Sequence, residues 1–219
     1  MEPVGIVRSC WPDRWGIPRQ PGLAPSAWAE LHLAPHVPTE ALRGIEGYSH
    51  LWLTIQFHAV THTRWTGRPP RLEGDRVGVF ASRSPHRPSG IGLSLVRLAS
   101  VDLGARVLHL RDHDLLDGTP VLDIKPYVSW CDAPVDARSG FAPAPPTPRP
   151  VFFDPGAWPL LDGREATARI IAETLAADPR QGRPGWKQMR VRVEDLDVHV
   201  RVDGEALVVE NVVVWQGPR

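Results

Sequence analysis

The chain has 219 residues, room for one full domain and a smaller second one, and its 42% of apolar residues supports a packed core, which excludes a disordered protein. Lys and Arg number 25, as do Asp and Glu, so a uniformly basic surface is excluded and any contact with nucleic acid has to rest on local patches. Cys10 and Cys131 make neither a zinc pattern nor a disulfide framework. No run reaches the roughly 20 apolar residues that cross a bilayer, and the N-terminus lacks a signal-peptide core. The expectation is a soluble cytoplasmic protein with no membrane partner.

In chain order, GIPRQPGL at 16–23 packs two prolines and two glycines into eight residues and reads as an ordered loop, with Gln20 offering donors and acceptors. Taken alone it is an ordinary loop. Thr39 is placed to cap a short helix through Glu46. From Leu51 to His58 the period is two: Leu51, Leu53, Ile55 and Phe57 share one face, and Trp52, Thr54, Gln56 and His58 share the other. Val77–Ala81, Ile91–Val101 and Ala105–Arg111 read as further strands.

Between two of these strands lies RSPHRPSGIG, Arg83 to Gly92. Pro85 and Pro88 stiffen it, Gly90 and Gly92 allow close backbone approach, and Arg83 and Arg87 present planar forks suited to a carboxylate or phosphate. A solvated loop whose prolines prevent edge pairing has the same composition. At Asp114–Tyr127, Asp117-Gly118-Thr119-Pro120 carries turn chemistry and a strand should follow. Strand periodicity sets Val121, Asp123 and Lys125 on one face, so an acid and a base stand side by side, as a partly buried site or as a structural ion pair.

Eight of the 24 prolines fall between Pro134 and Pro159, which marks 133–160 as a linker or long surface loop. Beyond it, Arg164–Ala177 is the clearest helix, with capping-box spacing at Asp162 and Glu165, one face formed by Ile170, Ile171, Thr174 and Leu175, and a stop at Asp178-Pro179. VHVRVDGEALVVENVVVW then reads as a hairpin turning at Asp203-Gly204. The fold class that emerges is mainly β to α+β: a β-rich domain over 1–132 and a small α+β domain over 161–219. Strand and helix do not alternate, so the chain is non-Rossmann.

His32/His36, His58/His62 and His109/His113 are each four apart, a spacing that aligns metal ligands only on a helix. These segments read as extended or irregular, and no Cys or Glu completes a ligand set, so the expected metal is none. Gly-x-Ser-x-Gly, Walker and GxGxxG patterns are absent, leaving hydrolase, NTPase and dinucleotide readings without support. The nine tryptophans are scattered.

VGIVRS at 4–9, IPRQPGL at 17–23, GYSHLW at 47–52, RPPRL at 68–72, RVGVFASRSPHRP at 76–88, IGLSLV at 91–96 and LLDGTPVLDIKPY at 115–127 together resemble the TrmO family of tRNA methyltransferases, in its order and spacing. The likeness covers 3–132 and is thinner beyond, resting on the helix and Asp178-Pro179-Arg180. It implies a β-barrel domain that binds S-adenosylmethionine, a small C-terminal domain, and a homodimer with sites near the subunit interface. The implied reaction is methylation of N6 on threonylcarbamoyladenosine at position 37 of tRNA. The implied cofactor shell is Gln20, Pro21 and Gly22, His58 and Ala59, Arg83, Leu93, and Asp117, Gly118, Thr119 and Pro120.

Two departures stand out: Ser89-Gly90 where the family usually has Asn-Pro, and Gln181 to Gly185 where it usually has Pro-Ala-Tyr-Arg-Lys. Both fall where substrate rather than cofactor is recognised. A carbamoylated N6 is a poor nucleophile, so Asp123 is the candidate base, with Arg83, Arg87 or Lys125 acting on the carbonyl or threonyl carboxylate. The alternatives are the same methyl chemistry on a small molecule, or a non-catalytic regulator that binds S-adenosylmethionine.

Overall fold

The computed structural model describes residues 1–69, 72, 74–180 and 185–217. Parts of two quoted motifs, Pro70 and Arg71 and the segment 181–184, lie outside the described residues. The chain forms two compact units, Met1–Arg8 with Glu30–Leu110 and Gly118–Pro145, and Ser9–Ala29 with Arg111–Asp117 and Pro146–Arg219. The units are therefore interleaved along the sequence.

The first unit is built on a closed six-stranded barrel in the order β1-β2-β7-β6-β3-β8, from β1 (Gly5–Ser9), β2 (Trp28–Leu33), β3 (His50–Gln56), β6 (Ile91–Asp102), β7 (Val107–Arg111) and β8 (Pro120–Pro126). The period-two pattern of β3 is realised: Leu51, Leu53 and Ile55 are buried and alternate with more exposed neighbours. With Val7, Leu31, Val96, Leu108, Leu110 and Val121 they fill the interior, so this small barrel encloses a packed core and no lumen. β3 pairs antiparallel with both β6 and β8, and β1 with β8.

Two local expectations for this unit change. The helix expected from Thr39 to Glu46 is two 3-10 turns, Thr39–Leu42 and Ile45–Gly47, separated because Gly44 takes φ +84. Val77–Ala81 keeps only β5 (Val77–Gly78), paired with β4 (Thr66–Gly67), before the chain winds into a 3-10 turn at Val79–Ala81.

The second unit carries a four-stranded sheet, β10-β11-β12-β9, from β9 (Val151–Phe153), β10 (Gln188–Val193), β11 (Leu196–Asp203) and β12 (Ala206–Val214). β9 lies within the Pro-rich stretch, flanked by Pro150 and Pro155, and pairs in parallel with β12. A short helix, α1 (Ser129–Asp132), precedes that stretch, and α2 (Glu165–Ala176) follows it. Ile170, Ile171 and Leu175 of α2 pack with Cys10, Trp11, Val191, Val193, Leu196, Val198 and Val209 in one core.

The capping expected at the start of α2 is not made by Asp162. No side chain caps the helix; Arg164 holds the N-cap position, and its guanidinium reaches Glu194 at 3.1 Å. The hairpin is present, but Asp203 pairs with Ala206, so the turn residues are Gly204 and Glu205 rather than Asp203 and Gly204. Gly204 supplies the positive φ, +59.

Candidate functional site

Antiparallel pairing sets the end of β3 beside the starts of β6 and β8. The Phe57 amide donates to the Gly90 carbonyl at 2.8 Å, and Gly118, just ahead of β8, donates to the Val7 carbonyl at 2.8 Å. His58 and Ala59 leave β3 exposed at this end. A Cβ on Gly118 would stand 3.8 Å from His58 Nε2, so the turn and the histidine face each other across an open backbone, and Gly118 itself sits at φ +76. Thr119 is buried beneath the turn.

Cross-strand rows carry the next candidates. Leu93 of β6 pairs with Thr54 of β3, which pairs with Asp123 of β8; one row on, Leu95, Trp52 and Lys125 align. These residues lie on the outer face, because Leu53 and Ile55 at the alternate positions of β3 fill the core; Val121, expected on the face of Asp123 and Lys125, turns inward instead because the β3–β8 register shifts between Thr54 and Ile55. Leu93 is 59% exposed, which is unusual for a leucine in a central strand. Gly92, beside it, has no room for a side chain: a Cβ would come within 2.5 Å of the Phe57 ring.

Asp123 and Lys125 pair at 3.0 Å, but their side chains are 49% and 71% exposed, so the partly buried site anticipated from the strand pattern is a surface ion pair. Such a pair contributes about 0–1 kcal/mol. Asp123 Oδ1 also accepts the Ile124 amide at 2.9 Å, which fixes the carboxylate against its strand.

The loop before β6 is folded on itself. His86 and His62 stack with ring centroids 4.5 Å apart, and the Arg64 amide donates to the His86 carbonyl at 2.9 Å. Arg87 directs its guanidinium to the carbonyls of Val79 and Ser82 at 3.5 Å each, the outer limit of a hydrogen bond, while Arg83 is exposed. His32 and His109 flank Glu30 at 2.9 and 3.6 Å. Among the described residues no three His, Cys, Asp or Glu side chains group as cation ligands.

Gln20, Pro21, Gly22 and Asp117 belong to the second unit. Gln20 donates to the Arg19 carbonyl of its own loop. Gly22 takes φ +89, and its amide donates to Asp112 Oδ1 at 2.8 Å. Asp112 was not singled out from sequence, and its signal is weak: an acid just after a strand that itself adopts φ +55. Asp117 Oδ1 accepts the Ser9 amide at 2.9 Å, so this carboxylate shapes a turn. Nearby, His113 is buried with its ring 4.7 Å from Trp11, and Nδ1 accepts the Leu115 amide. Burial pushes its pKa down to about 4.

Asp178-Pro179-Arg180 is a clamp. Asp178 accepts Arg180 Nε at 2.8 Å and Nη2 at 2.7 Å, and Arg149 Nε at 2.6 Å. Burial alone would raise the Asp178 pKa, yet the two guanidinium groups outweigh it and hold the carboxyl below its ordinary value.

A closed, densely filled barrel with candidate groups along one outer wall defines a mainly β protein unlike the doubly wound folds that bind nucleotides at a parallel sheet. The chain belongs to the TrmO family: the family model described as the tRNA-methyltransferase O N-terminal domain matches residues 6–133. RcsF of Pseudomonas aeruginosa, which bears the name of an S-adenosylmethionine-dependent methyltransferase, is 46% identical over 91% of this chain and 90% of its own. The tRNA (adenine(37)-N6)-methyltransferase of Escherichia coli K12 is 41% identical over 92% of each. The crystal structure of TrmO from Pseudomonas aeruginosa superposes with a TM-score of 0.82 at 42% identity, covering 97% of this chain and 96% of that one.

Proposed function

We propose that this chain transfers the methyl group of S-adenosylmethionine to N6 of the adenosine at position 37 of tRNA, in its threonylcarbamoylated form. One observation carries the reading. In a chain of this family, His58, Ala59, the Gly118–Pro120 turn, the loop from Arg83 to Pro88 and exposed Leu93 gather along one end of the β6-β3-β8 wall. The residues fit the cofactor. Gly118 leaves backbone open beside His58, Leu93 and Ile91 are 59% and 40% exposed and offer an apolar surface to a purine, and Arg83 suits a carboxylate. The family resemblance adds Gln20, Pro21, Gly22 and Asp117 to the cofactor-binding set.

When bound, the cofactor supplies a methyl group that is already electrophilic. What remains for the protein is orientation, worth on the order of 7–11 kcal/mol of barrier, and help for a weak nucleophile whose lone pair is delocalised into the carbamoyl carbonyl. Asp123 accepts the N6 proton, held in place by the Ile124 amide and by Lys125 at 3.0 Å. Arg87 exchanges its long contacts to Val79 and Ser82 for the threonyl carboxylate.

The barrel within 1–132 carries cofactor binding, and 161–219 forms the small α+β domain together with 9–29, 111–117 and the β9 end of the Pro-rich stretch 133–160. The protein works in the cytoplasm as a homodimer, a reading supported by the apolar side chains that the barrel leaves exposed, Leu93 and Phe80 (75%) among them. Among the described residues no helix is long and apolar enough to cross a membrane.

The test is calorimetry with S-adenosylmethionine, followed by incubation with labelled cofactor and total tRNA from a host lacking its own enzyme, read by nucleoside mass spectrometry. Methylated threonylcarbamoyladenosine is the expected product. Turnover of a small nucleoside alone replaces the substrate, binding without turnover makes the protein a regulator, and no binding at millimolar cofactor ends the reading.

A further inference from the structure

In the second unit, a groove of about 270 Å³ is lined by Trp15, Gly16, Pro179, Trp186, Met189, Arg190 and Val191. Its size is below the roughly 300–1,000 Å³ of sites that take a whole drug-sized ligand, and suits one flat ring system. Two of its walls are indoles: Trp15 and Trp186 lie 5.7 Å apart between ring centroids, inclined by 39°. Trp186 is 37% exposed just ahead of β10, so part of its indole is open to a ligand.

Cations outnumber acids among the residues that line and adjoin the groove in sequence. Its acids are already committed, Asp13 to Arg192 at 2.9 Å and Asp178 to Arg149 and Arg180 at 2.6 and 2.7 Å. Arg190 lines the groove, its side chain is 68% exposed and stands 3.8 Å from Asp197, and the exposed Arg14 and Lys187 adjoin the two tryptophans in sequence. In a chain with no net charge this local excess is a patch of the kind that nucleic-acid contact requires. Aromatic faces bordered by cations are how single-stranded nucleic acids are held, bases on the rings and phosphates on the basic groups.

We infer that this groove is a stacking site for one unpaired base of the RNA substrate, with Trp186 and Trp15 as the platform and Arg190 on the adjoining phosphate. The inference rests on the tRNA reading above and adds to it a second contact, made by residues outside the cofactor set.

The experiment compares wild type with Trp186→Ala, Trp186→Phe and Arg190→Gln in the full-length protein, using tRNA as substrate. Trp186→Ala is expected to raise KM for tRNA about 5- to 150-fold, the range for losing one stacked base. Its kcat at saturating tRNA and its affinity for S-adenosylmethionine should stay within about twofold, and Trp186→Phe, which keeps a ring, should recover most of the loss. Arg190→Gln should reduce the slope of log affinity against log salt by about one. An unchanged KM in Trp186→Ala overturns the inference, as does a parallel loss of cofactor affinity or a changed oligomeric state, either of which gives Trp186 a structural role. If Trp186→Ala does not fold, unchanged tRNA binding in both remaining variants overturns it. Should wild type fail to methylate tRNA, the enzymatic reading falls by itself. Binding of a synthetic anticodon-loop RNA, read as indole quenching that Trp186→Phe reduces, still tests the stacking site, and no quenching overturns it.

Discussion

At the scale of single residues, Arg83 and Arg87 look equivalent in sequence and differ in the structure. Arg83 is exposed, whereas Arg87 is half-buried and turned toward the carbonyls of Val79 and Ser82. Lysine keeps the charge at either position and loses the planar fork. Arg83→Lys is therefore expected to weaken S-adenosylmethionine binding by about 10- to 150-fold in calorimetry, the equivalent of a charge-assisted hydrogen bond. Arg87→Lys should leave that binding nearly intact and lower turnover. Parent-like behaviour of both variants would make the loop a bystander. The paired prolines and arginines made this loop legible in the sequence because its chemistry is local. The direction of Arg87 was not legible, since it depends on a 3-10 turn that the period-two pattern at Val77–Ala81 masks. Asp123 and Lys125 were legible as a pair, and their exposure was not, because which strand face turns outward is set by barrel closure.

Elements with strong alternation were read closely from sequence: β3, β6, β7 and β8 lie within a few residues of their expected bounds. β7 begins at Val107 rather than Ala105 because Arg106 takes φ +60, its guanidinium donating to the Ala34 carbonyl at 2.7 Å. β1, β2, β4, β9 and β10 escaped for different reasons: a glycine opens β1, β2 carries Ala, Glu and Leu in place of β-branched residues, β4 is two residues long, prolines flank β9, and β10 follows a segment rich in glycine and proline. The join between β3 and β6 yields a direct test. Gly92→Ala drives a methyl group into the Phe57 ring and Ile55 and should destabilise the protein by about 1–3 kcal/mol in urea denaturation, with weakened cofactor binding. Gly47→Ala, with nothing within 4 Å and no positive φ, is the control and should be neutral or slightly stabilising. Equal stability of the two variants would contradict the packing described at this end of the barrel.

For the molecule as a whole, mild acid should be damaging. His113 has a folded pKa of about 4 against an ordinary 6.5, so the unfolded chain takes up the proton first. The stability that neutral His113 contributes is complete above about pH 6.5 and lost as pH falls toward 4, amounting to about 3 kcal/mol over that window. Asp178, held below its ordinary value of 3.8, contributes stability that is present above that value and lost as pH falls further. In His113→Asn, the amide oxygen can accept the Leu115 amide in place of Nδ1, and the decline between pH 6.5 and 4 should flatten in thermal melts. A decline as steep as the parent's would assign it to other groups. The mainly β, non-Rossmann class was legible in composition and periodicity. Closure of the barrel was legible only through the family resemblance, and the parallel seat of β9 not at all, because strand order is a non-local property.

The interleaving of the two units bears on how the protein is made. Cys10, Trp11, Ala24 and Ala27 leave the ribosome well before α2 and the β9–β12 sheet, all after residue 146, which supply most of the core that buries them. The first unit is complete once Pro145 has emerged. At about 5–20 residues per second, the remaining segment to Arg219 takes on the order of 4–15 s to synthesise. Throughout that interval these hydrophobic residues wait for the rest of their core, and a product truncated near Pro145 would lack it.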